Sequence, residues 1–472
     1  MIRHIRILSL ALTLSAGAAM TSGAQQLVSA GSATADPAAV NGARQTQPAP
    51  TQFWQTFGDT TLQRLMVETL RANHDIQIAR ARVSGARAAR NFAAFDLTPA
   101  VSANSGYTRQ RIASSSFPGG SGAFPDQDIW DAGLRMSWEL DLFGRLRRSL
   151  QGQGALLGAA TEDVRDVQVL LTAQVANAYF ALRGAQDRLA VARRNAANQR
   201  GTLDVTLQRL EGGRGTALDT ERAKALLSGT LAVIPTLEAT IEVARYRIGV
   251  LTGRGAADAP ALADDTVEVT LPEVLAPGRV DSLVRRRPDV LSAERQVAAS
   301  RAFVGAARAR YLPRVAIGGA AGYTGGTFES LGNSGTPRYA IGPVISLPLD
   351  LGRVRAGVDA ARAEETQSRA RYEQVVLLAQ EEVASSLITY DKARERLQHL
   401  DDAAAASERA AELARLRYTE GASDFLQVLD AERTLLDRQD ERALGRTEAT
   451  TGLVAVYRAL RGTKAFTLGG VR

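Results

Sequence analysis

Residues 80–99 read RARVSGARAARNFAAFDLTP, and residues 294–313 read ERQVAASRAFVGAARARYLP. The two stretches match at five positions with one constant offset, which pairs Val83 with Val297, Arg87 with Arg301, Ala88 with Ala302, Ala93 with Ala307 and Pro99 with Pro313. Three shorter matches follow in the same order: LDLFGR at 140–145 with LDLGR at 349–353, LDTER at 218–222 with LDAER at 429–433, and LTG at 251–253 with LRG at 460–462. Ordered matches at nearly constant spacing indicate a duplicated unit, much longer than the repeats of solenoid proteins.

The duplication divides most of the chain into two similar halves. We predict a first structural repeat over 53–253, a linker over 254–279, a second repeat over 280–462 and a C-terminal tail over 463–472. The linker assignment rests on Pro260, Pro272 and Pro277, which restrict the backbone and disfavour helix.

The N-terminus has the layout of a secretory signal peptide, which we place at 1–24. Arg3, His4 and Arg6 precede an apolar stretch, and small residues at 22–24 offer a cleavage site. An uncleaved membrane anchor is the alternative, but the apolar stretch is too short to cross a bilayer. Residues 25–52 have no periodicity and are predicted to form an extended tail.

Composition argues against an enzyme, a metal site and a bound cofactor. The chain has no cysteine and three histidines, and it contains neither a GxSxG nor an HExxH motif. The net charge of +7 invites a nucleic-acid hypothesis. Arginines interleaved with Glu and Asp along helical stretches, as at 362–366, instead favour a solvated, ion-paired helix surface and no nucleic-acid partner.

Two segments in each half have the period of a β-strand. Residues 130–142 alternate between an apolar and a polar set over their whole length, and 101–108 alternate in the same way. Residues 315–323 and 339–349 repeat the arrangement, although Pro343 and Pro348 count against a central strand there. We therefore predict β-hairpins over 97–142 and 311–350.

The remaining segments have helical periodicity. Helices are predicted over about 57–94 and 280–310, and very long helical regions over 145–250 and 353–460. Glycine-containing turns at 211–215 and 420–423 divide each long region into an outgoing and a returning helix. The outgoing helices, 145–210 and 353–419, would each be about 100 Å long.

Four amphipathic strands need a partner for their apolar face and for their edges. No later run is continuously apolar over the length of a membrane helix, which favours a membrane β-barrel built from several copies of the chain. Five aromatic residues near the strand ends would form its membrane girdle: Tyr107, Trp130, Trp138, Tyr323 and Tyr339. The alternatives are a soluble β-sandwich for the strands and a plain coiled-coil stalk for the helices.

Three motifs, WELDLFGR at 138–145, RRPDV at 286–290 and YTEGASDFLQVLDAER at 418–433, together with the duplicated layout, resemble the TolC/OprM-type outer-membrane efflux channels. The resemblance covers 53–462 and extends to the NodT-like branch of the outer membrane factors of tripartite RND-type pumps. It implies a mixed, mainly α fold: a homotrimer with a twelve-stranded outer-membrane barrel, four strands per chain, continued by a long periplasmic α-helical barrel.

The resemblance also implies a function and partners. The channel would passively conduct drugs, toxic compounds or metals from an inner-membrane efflux transporter, through a periplasmic adaptor protein, across the outer membrane of a Gram-negative cell. Its barrel would contact outer-membrane lipid. A passive porin-like channel and a type I secretion channel are the alternatives. Many relatives carry a lipid on an N-terminal cysteine; this chain has none, so we expect no lipid anchor and a mature chain that begins near Gln25.

Carried over by resemblance, the periplasmic gate corresponds to Tyr418, Leu426, Asp430 and Arg433, with Asp219 and Arg222 in the matching places of the first repeat. The gate's alternative is plain helix surface, with an i,i+3 pair between Asp430 and Arg433. Four turn glycines are expected to contact the adaptor, although helix capping would explain them equally well: Gly212, Gly213, Gly215 and Gly421.

Overall fold

The computed structural model describes residues 52–55, 57–112, 125–260, 271 and 284–461. The predicted signal peptide, almost all of the N-terminal tail, most of the linker and the C-terminal tail lie outside the described residues. The helices are α1 (Gln52–Gln55), α2 (Thr60–Ala72), α3 (His74–Phe95), α4 (Arg145–Glu211), α5 (Ala217–Leu251), α6 (Pro288–Arg308), α7 (Leu351–Thr419) and α8 (Phe425–Ala459). The strands are β1 (Ala100–Gln110), β2 (Gln127–Leu140), β3 (Arg314–Gly325) and β4 (Pro337–Ser346).

The order of elements occurs twice. In the first half α3 leads into β1 and β2, then into α4 and α5; in the second half α6 leads into β3 and β4, then into α7 and α8. Helices α4 and α7 contain 67 and 69 residues, so each is about 100 Å long. Both run from the sheet to a tight turn, after which a helix of 35 residues returns.

The helix predicted over about 57–94 is instead two helices that meet at Asn73. The Asn73 backbone is extended, its side-chain oxygen accepts from the Asp75 N–H at 2.8 Å, and its amide donates to the Leu251 carbonyl at 2.9 Å. Asparagine is a good N-cap because it satisfies an unpaired amide of the first helical turn. The contact with Leu251 also fixes the end of α5 against this break. In the second half, α6 begins at Pro288. Proline suits this position because the N–H of the first helical residue has no partner within the helix, and proline has no N–H.

The four strands form one antiparallel sheet in the order β1-β2-β3-β4. The register aligns the apolar residues of neighbouring strands on one face, with Leu134 opposite both Ala103 and Ala321. On the polar face Asp131 of β2 joins all four strands. It accepts from Asn104 of β1 at 3.2 Å and from Thr324 of β3 at 3.0 Å, and it pairs with Arg338 of β4.

Two strands, β2 and β4, end earlier than the alternation predicts. β2 ends at Leu140, because the Asp141 carboxylate turns to the start of α4 and accepts from the N–H groups of Leu146 and Arg147 at 3.0 and 2.9 Å. β4 ends at Ser346, two residues before Pro348, while Pro343 lies inside it. Proline is tolerated there because β4 is at the edge of the sheet in the single chain.

Gly133 and Gly322 face each other across β2 and β3. A Cβ on Gly133 would lie 2.6 Å from the Ala321 carbonyl oxygen, and a Cβ on Gly322 would overlap the Ala132 carbonyl. Neither position accepts a side chain without separating the strands. The glycine pair therefore permits the close contact of the two hairpins at the centre of the sheet.

The two long and the two returning helices end in the same way, with the second residue after the helix in the left-handed region. This residue is Gly213, Gly253 or Gly421 at three ends, with φ of 68°, 78° and 76°. At the fourth end, after α8, it is Arg461, with φ of 48°. At the helix ends, Gly253 therefore has the same structural position as Arg461. The motifs LTG and LRG instead align Gly253 with Gly462, one residue further along. A non-glycine residue costs about 1 kcal/mol or more in this conformation.

Arg461 is held by a buried ionic network that contains the RRPDV motif. Its guanidinium lies 2.6 Å from Asp166 of α4 and 3.5 Å from Asp289 of α6. Arg287, whose side chain is 3% exposed, pairs with Asp289 and with Glu382 of α7, both at 2.8 Å, and donates to the Ala459 carbonyl at 2.6 Å. The network joins four helices at the end of the second repeat and offsets the strain at Arg461.

The main apolar core lies beside this network and contains the start of the described chain. Trp54 is completely buried against Tyr457, with ring centroids 4.6 Å apart. Asp59 caps α2 and accepts from the Tyr179 hydroxyl, which also accepts from Arg183 at 3.0 Å. Burial and the contact with Asp59 raise the pKa of the Tyr179 hydroxyl. The core fixes the first short helices to α4 and α8.

Among the described helices, α5 is long and apolar enough by length and composition to cross a membrane, contrary to the expectation that no such segment follows the signal peptide. Most of the apolar stretch of α5 is not buried within the chain. The helix nevertheless runs beside α4, and two polar contacts join the two helices. Glu238 of α5 pairs with Arg193 of α4 at 2.8 Å, and Arg247 of α5 donates to Gln174 of α4 at 3.1 Å. Packing of Leu237 against Leu189 and Ala192 accompanies these polar contacts. α5 therefore presents an exposed apolar face as part of the helical layer.

Candidate gate at the helix turns

The two turns that follow α4 and α7 lie side by side. Arg209, in the last turn of α4, donates to the Tyr418 carbonyl of α7 at 2.9 Å, and its guanidinium lies 4.3 Å from the centre of the Tyr418 ring. The same ring is buried against Phe425 at the start of α8, with ring centroids 5.6 Å apart. Tyr418 is therefore a packing residue that joins the turns, and Arg209 is a partner that the sequence analysis missed.

The remaining predicted residues of α8 lie on its outward stripe. Leu426, Asp430 and Arg433 are all exposed, with Leu426 at 51%. Phe425 and Val428 face the opposite way and are buried. Neither Asp430 nor Arg433 forms an ion pair or side-chain hydrogen bond with any residue that the structure describes. The simple surface pair considered as an alternative is therefore not formed within the chain.

Between Asp430 and Arg433 of the same motif lies Glu432, which the sequence analysis did not single out. Its carboxylate is 2% exposed, accepts from Thr202 of α4 at 2.7 Å and pairs with Arg415 of α7 at 2.8 Å. The equivalent residue of the first repeat, Glu221, is exposed and lies 4.0 Å from Lys224. The duplicated motif thus has two different roles in the two halves. The recurrence of glutamate in LDTER and LDAER does not distinguish these roles, so the sequence carries no local signal for the burial of Glu432.

Polar contacts link α4 to the second repeat at every seventh residue of α4. Arg188 forms a two-point pair with Asp440, and Asn195 donates to Gln439 at 2.8 Å. Thr202 donates to Glu432 at 2.7 Å, and Arg209 donates to the Tyr418 carbonyl. A seven-residue interval keeps side chains on one seam of supercoiled helices. We call the residues 188, 195, 202 and 209 the polar seam of α4.

Gln199 lies beside this seam with no hydrogen-bond partner for either end of its amide among the described residues, although it is 2% exposed. A buried amide without partners costs free energy, so the polar groups at this level of the helix packing are not all satisfied. A groove of about 400 Å³ opens nearby between α4 and α7, lined in part by Gly201, Thr202 and Arg415.

The predicted first-repeat residues have local roles. Asp219 takes part in capping α5: its N–H donates to the Thr216 hydroxyl oxygen at 3.2 Å, and its carboxylate accepts from that hydroxyl at 2.7 Å. Arg222 is exposed. The turn glycines also end helices, since Gly213 and Gly421 have positive φ. Contact of Gly212, Gly213, Gly215 and Gly421 with an adaptor stays a prediction.

At the other end of the molecule the aromatic residues gather at the loop end of the sheet. The rings of Tyr107 and Trp130 are in tilted contact, with centroids 4.7 Å apart, and Phe328, which the sequence analysis missed, makes an edge contact with Trp130 at 5.4 Å. Tyr323 and Tyr339 lie on the same face, and Tyr339 is 86% exposed. Trp138 lies instead at the helix end, where it donates to the Leu97 carbonyl at 2.9 Å. A membrane girdle formed by these residues stays a prediction.

Comparison with known proteins identifies the fold as that of an efflux-channel protein. The profile of the family "Outer membrane efflux protein" matches residues 65–254 and 280–462. The toluene efflux pump outer membrane protein TtgF of Pseudomonas putida is 31% identical, over 89% of this chain and 86% of its own. Outer membrane protein OprJ of Pseudomonas aeruginosa is 30% identical, over 89% and 88%.

A solved structure has the same fold at higher identity. The outer-membrane channel OprN is 39% identical, with a TM-score of 0.79 over 87% of this chain and 92% of its own. The chain therefore belongs to the outer membrane efflux protein family, is located in the outer membrane and acts in efflux. The resemblance to TolC/OprM-type channels is confirmed.

Proposed function

We propose that three copies of this chain form the outer-membrane channel of a tripartite efflux pump, and that the channel passively conducts small molecules to the cell exterior. The observation that carries the proposal is the four-stranded sheet with two open edges. One of its faces is apolar along all four strands, and the other carries Asp131 with the polar side chains that contact it. Pairing β4 of one copy with β1 of the next would close a twelve-stranded barrel with the polar face inward.

The helices support a tunnel that continues this barrel. All four connections from strand to helix lie at one end of the sheet, and α4 and α7 leave that end for about 100 Å. The exposed apolar face of α5 includes Val243, Tyr246 and Val250. In a trimer such a face would pack against a helix of the neighbouring copy, which removes apolar surface from water.

The turn end of the tunnel would be its gate and its docking site. Three copies would bring the exposed Leu426 and Asp430 side chains into rings around one axis, where like charges repel unless cations or arginines neutralise them. The glycine turns and the groove between α4 and α7 offer an irregular surface for the helical hairpin of a periplasmic adaptor. That adaptor would connect the channel to an inner-membrane efflux transporter, as the names of the relatives suggest.

A cysteine cross-linking experiment tests the shared barrel, because the chain has no cysteine of its own. Ala103 in β1 is replaced by Cys together with Tyr339, Ile341 or Ile345 in β4, one pair at a time. The two edges are separated by two strands within one chain, about 14 Å apart, so a disulfide can form only between copies.

Oxidation of outer membranes should convert one of these three pairs to a covalent trimer on a non-reducing gel, while each single-cysteine variant stays monomeric after denaturation. Light scattering of the detergent-solubilised protein should give the mass of three chains. A monomeric mass, together with no cross-link in any of the three pairs, would exclude the shared barrel.

A further inference from the structure

A second groove, of about 530 Å³, lies where the strands join the helices, at the opposite end from the gate. Its walls come from α4, α6 and α7 and from the segments that connect them to the sheet. Six of the lining residues carry its chemistry: Phe143, Arg148, Arg301, Arg308, Leu312 and Glu365.

The groove has an excess of positive charge. Glu365 is its one lining carboxylate among the described residues, and it is already shared by Arg301 at 3.4 Å and Arg369 at 3.2 Å. Arg148 and Arg308 are exposed and form no ion pair or side-chain hydrogen bond with any described residue. Gly305 makes room for Arg148, since a Cβ there would lie 3.2 Å from the Arg148 Cδ. Two guanidinium groups are therefore available to one ligand.

The groove also has an apolar rim at a fixed level of the molecule. Phe143 comes three residues after the end of β2, and Leu312 comes two residues before the start of β3. Their exposed fractions are 47% and 41%. Arginine beside exposed apolar side chains suits a ligand with a charged head and an apolar tail.

We propose that this groove binds an anionic phospholipid of the inner leaflet, with Arg148 and Arg308 on its phosphate and Phe143 and Leu312 against the first carbons of its acyl chains. The proposal rests on the proposed function, since it needs the strands to lie in the membrane and the helices below it. Guanidinium groups match phosphate oxygens in geometry as well as in charge. The site would fix the depth of the channel in the bilayer.

Native mass spectrometry of the detergent-solubilised protein tests the site with three probes. These are phosphatidylglycerol, phosphatidylcholine with the same acyl chains, and glycerol phosphate without chains. The variant carries Arg148→Gln and Arg308→Gln. The matched control carries Arg200→Gln and Arg409→Gln, which removes the same charge from exposed positions on α4 and α7 far from the groove.

The wild type should bind phosphatidylglycerol on the order of tenfold more tightly than phosphatidylcholine, and the groove variant should lose that preference while the control keeps it. Equal binding of the two lipids, an unchanged preference in the groove variant, or equal affinity for glycerol phosphate would each overturn the proposal. Conductance in planar bilayers is recorded for the same proteins. A groove variant that conducts like wild type leaves the channel function standing, whereas a wild type that forms no channels contradicts the proposed function itself.

Discussion

Thr202 and Glu432 are 230 positions apart in the sequence, yet the threonine hydroxyl donates to the buried carboxylate at 2.7 Å. Arg415 completes the site from α7 at 2.8 Å, so one carboxylate holds three helices together just above the turns. The outward stripe with Leu426 and Asp430 is on the same helix as Glu432. Any opening movement of α8 at this level must therefore break or carry along the Glu432 contacts.

Glu432→Gln should loosen the start of α8. The substitution keeps the shape of the side chain but removes the charge that Arg415 neutralises, at a cost of about 1–3 kcal/mol. Hydrogen–deuterium exchange should accelerate in 425–435 and stay unchanged in the core around Trp54. Glu221→Gln is the control, because this glutamate occupies the matching place of the first repeat and is exposed. Equal exchange in the two variants would show that the Glu432 contacts do not hold the helix.

The glycine pair at the centre of the sheet predicts a second effect. Gly133→Ala or Gly322→Ala places a methyl group against a carbonyl of the neighbouring strand, so we expect a loss of about 1–3 kcal/mol and less assembled protein in the outer membrane. Gly106→Ala in β1 is the control, since nothing lies within 4 Å of its Cβ position. The measurement is the yield of oligomer on a gel run without heating. Wild-type yield from both central variants would contradict the close contact.

The sequence predicts the elements of this fold well because their signals are local. Alternation over 130–140 is visible in the sequence, and it predicts β2; the glycine after α7 predicts a turn. The end of β2 at Leu140 depends on the Asp141 side chain, which could equally have continued the alternation. Likewise Asn73 divides one predicted helix because its amide reaches Leu251, a residue far away in the sequence.

The candidate site was predicted only in part, for the same reason. Leu426, Asp430 and Arg433 share a helix stripe, which spacing alone predicts, and the structure leaves that stripe exposed. The burial of Glu432 depends on Thr202 and Arg415, and the support of Tyr418 depends on Arg209. No local pattern indicates such pairs. The duplication was also misleading here, because Asp219 and Glu221 in the matching motif have only local or exposed roles.

Asp166 should make the stability of the protein depend on pH in the acidic range. Burial raises its pKa to about 6, and the guanidinium of Arg461 limits the rise. An aspartate in the unfolded chain has a pKa of about 4, so between pH 4 and 6 the folded chain holds a proton that the unfolded chain releases. The free energy of unfolding should therefore decrease as the pH rises through this window, by roughly 2–3 kcal/mol, and change little from this group above it.

Asp166→Asn should remove this part of the pH dependence. The check is the midpoint of thermal unfolding in detergent at pH 4.5 and 7, with Asp204→Asn, an exposed residue of the same helix, as the control. The pKa of the neighbouring Asp289 is shifted in the opposite direction from that of Asp166. Although its burial opposes ionisation, Arg287 keeps its pKa below the usual value, so its contribution is lost only at still lower pH. An identical difference between the two pH values in wild type and Asp166→Asn would contradict the assignment.

The exposed residues that are predicted to form the gate should affect the opening of the channel. Asp430 and Arg433 have no partner within the described chain, so any contact that holds the channel closed through them must cross between copies. Each such contact is partly solvated and would contribute about 1 kcal/mol, three times over by symmetry. Loss of all three could shift a closed-to-open equilibrium on the order of a hundredfold. Asp430→Ala with Arg433→Ala should therefore raise the open probability of single channels, and with it the mean conductance, in planar bilayers.

Divalent cations provide an independent readout of the same ring. A ring of three Asp430 carboxylates would bind such cations and block the channel, so Asp430→Ala alone should weaken the block. Glu364→Ala, an exposed glutamate on α7 away from the turns, is the control and should leave conductance and block unchanged. If the double variant conducts like wild type and Asp430→Ala keeps the same cation block, the exposed stripe of α8 is ordinary helix surface. The constriction would then have to lie elsewhere in the tunnel.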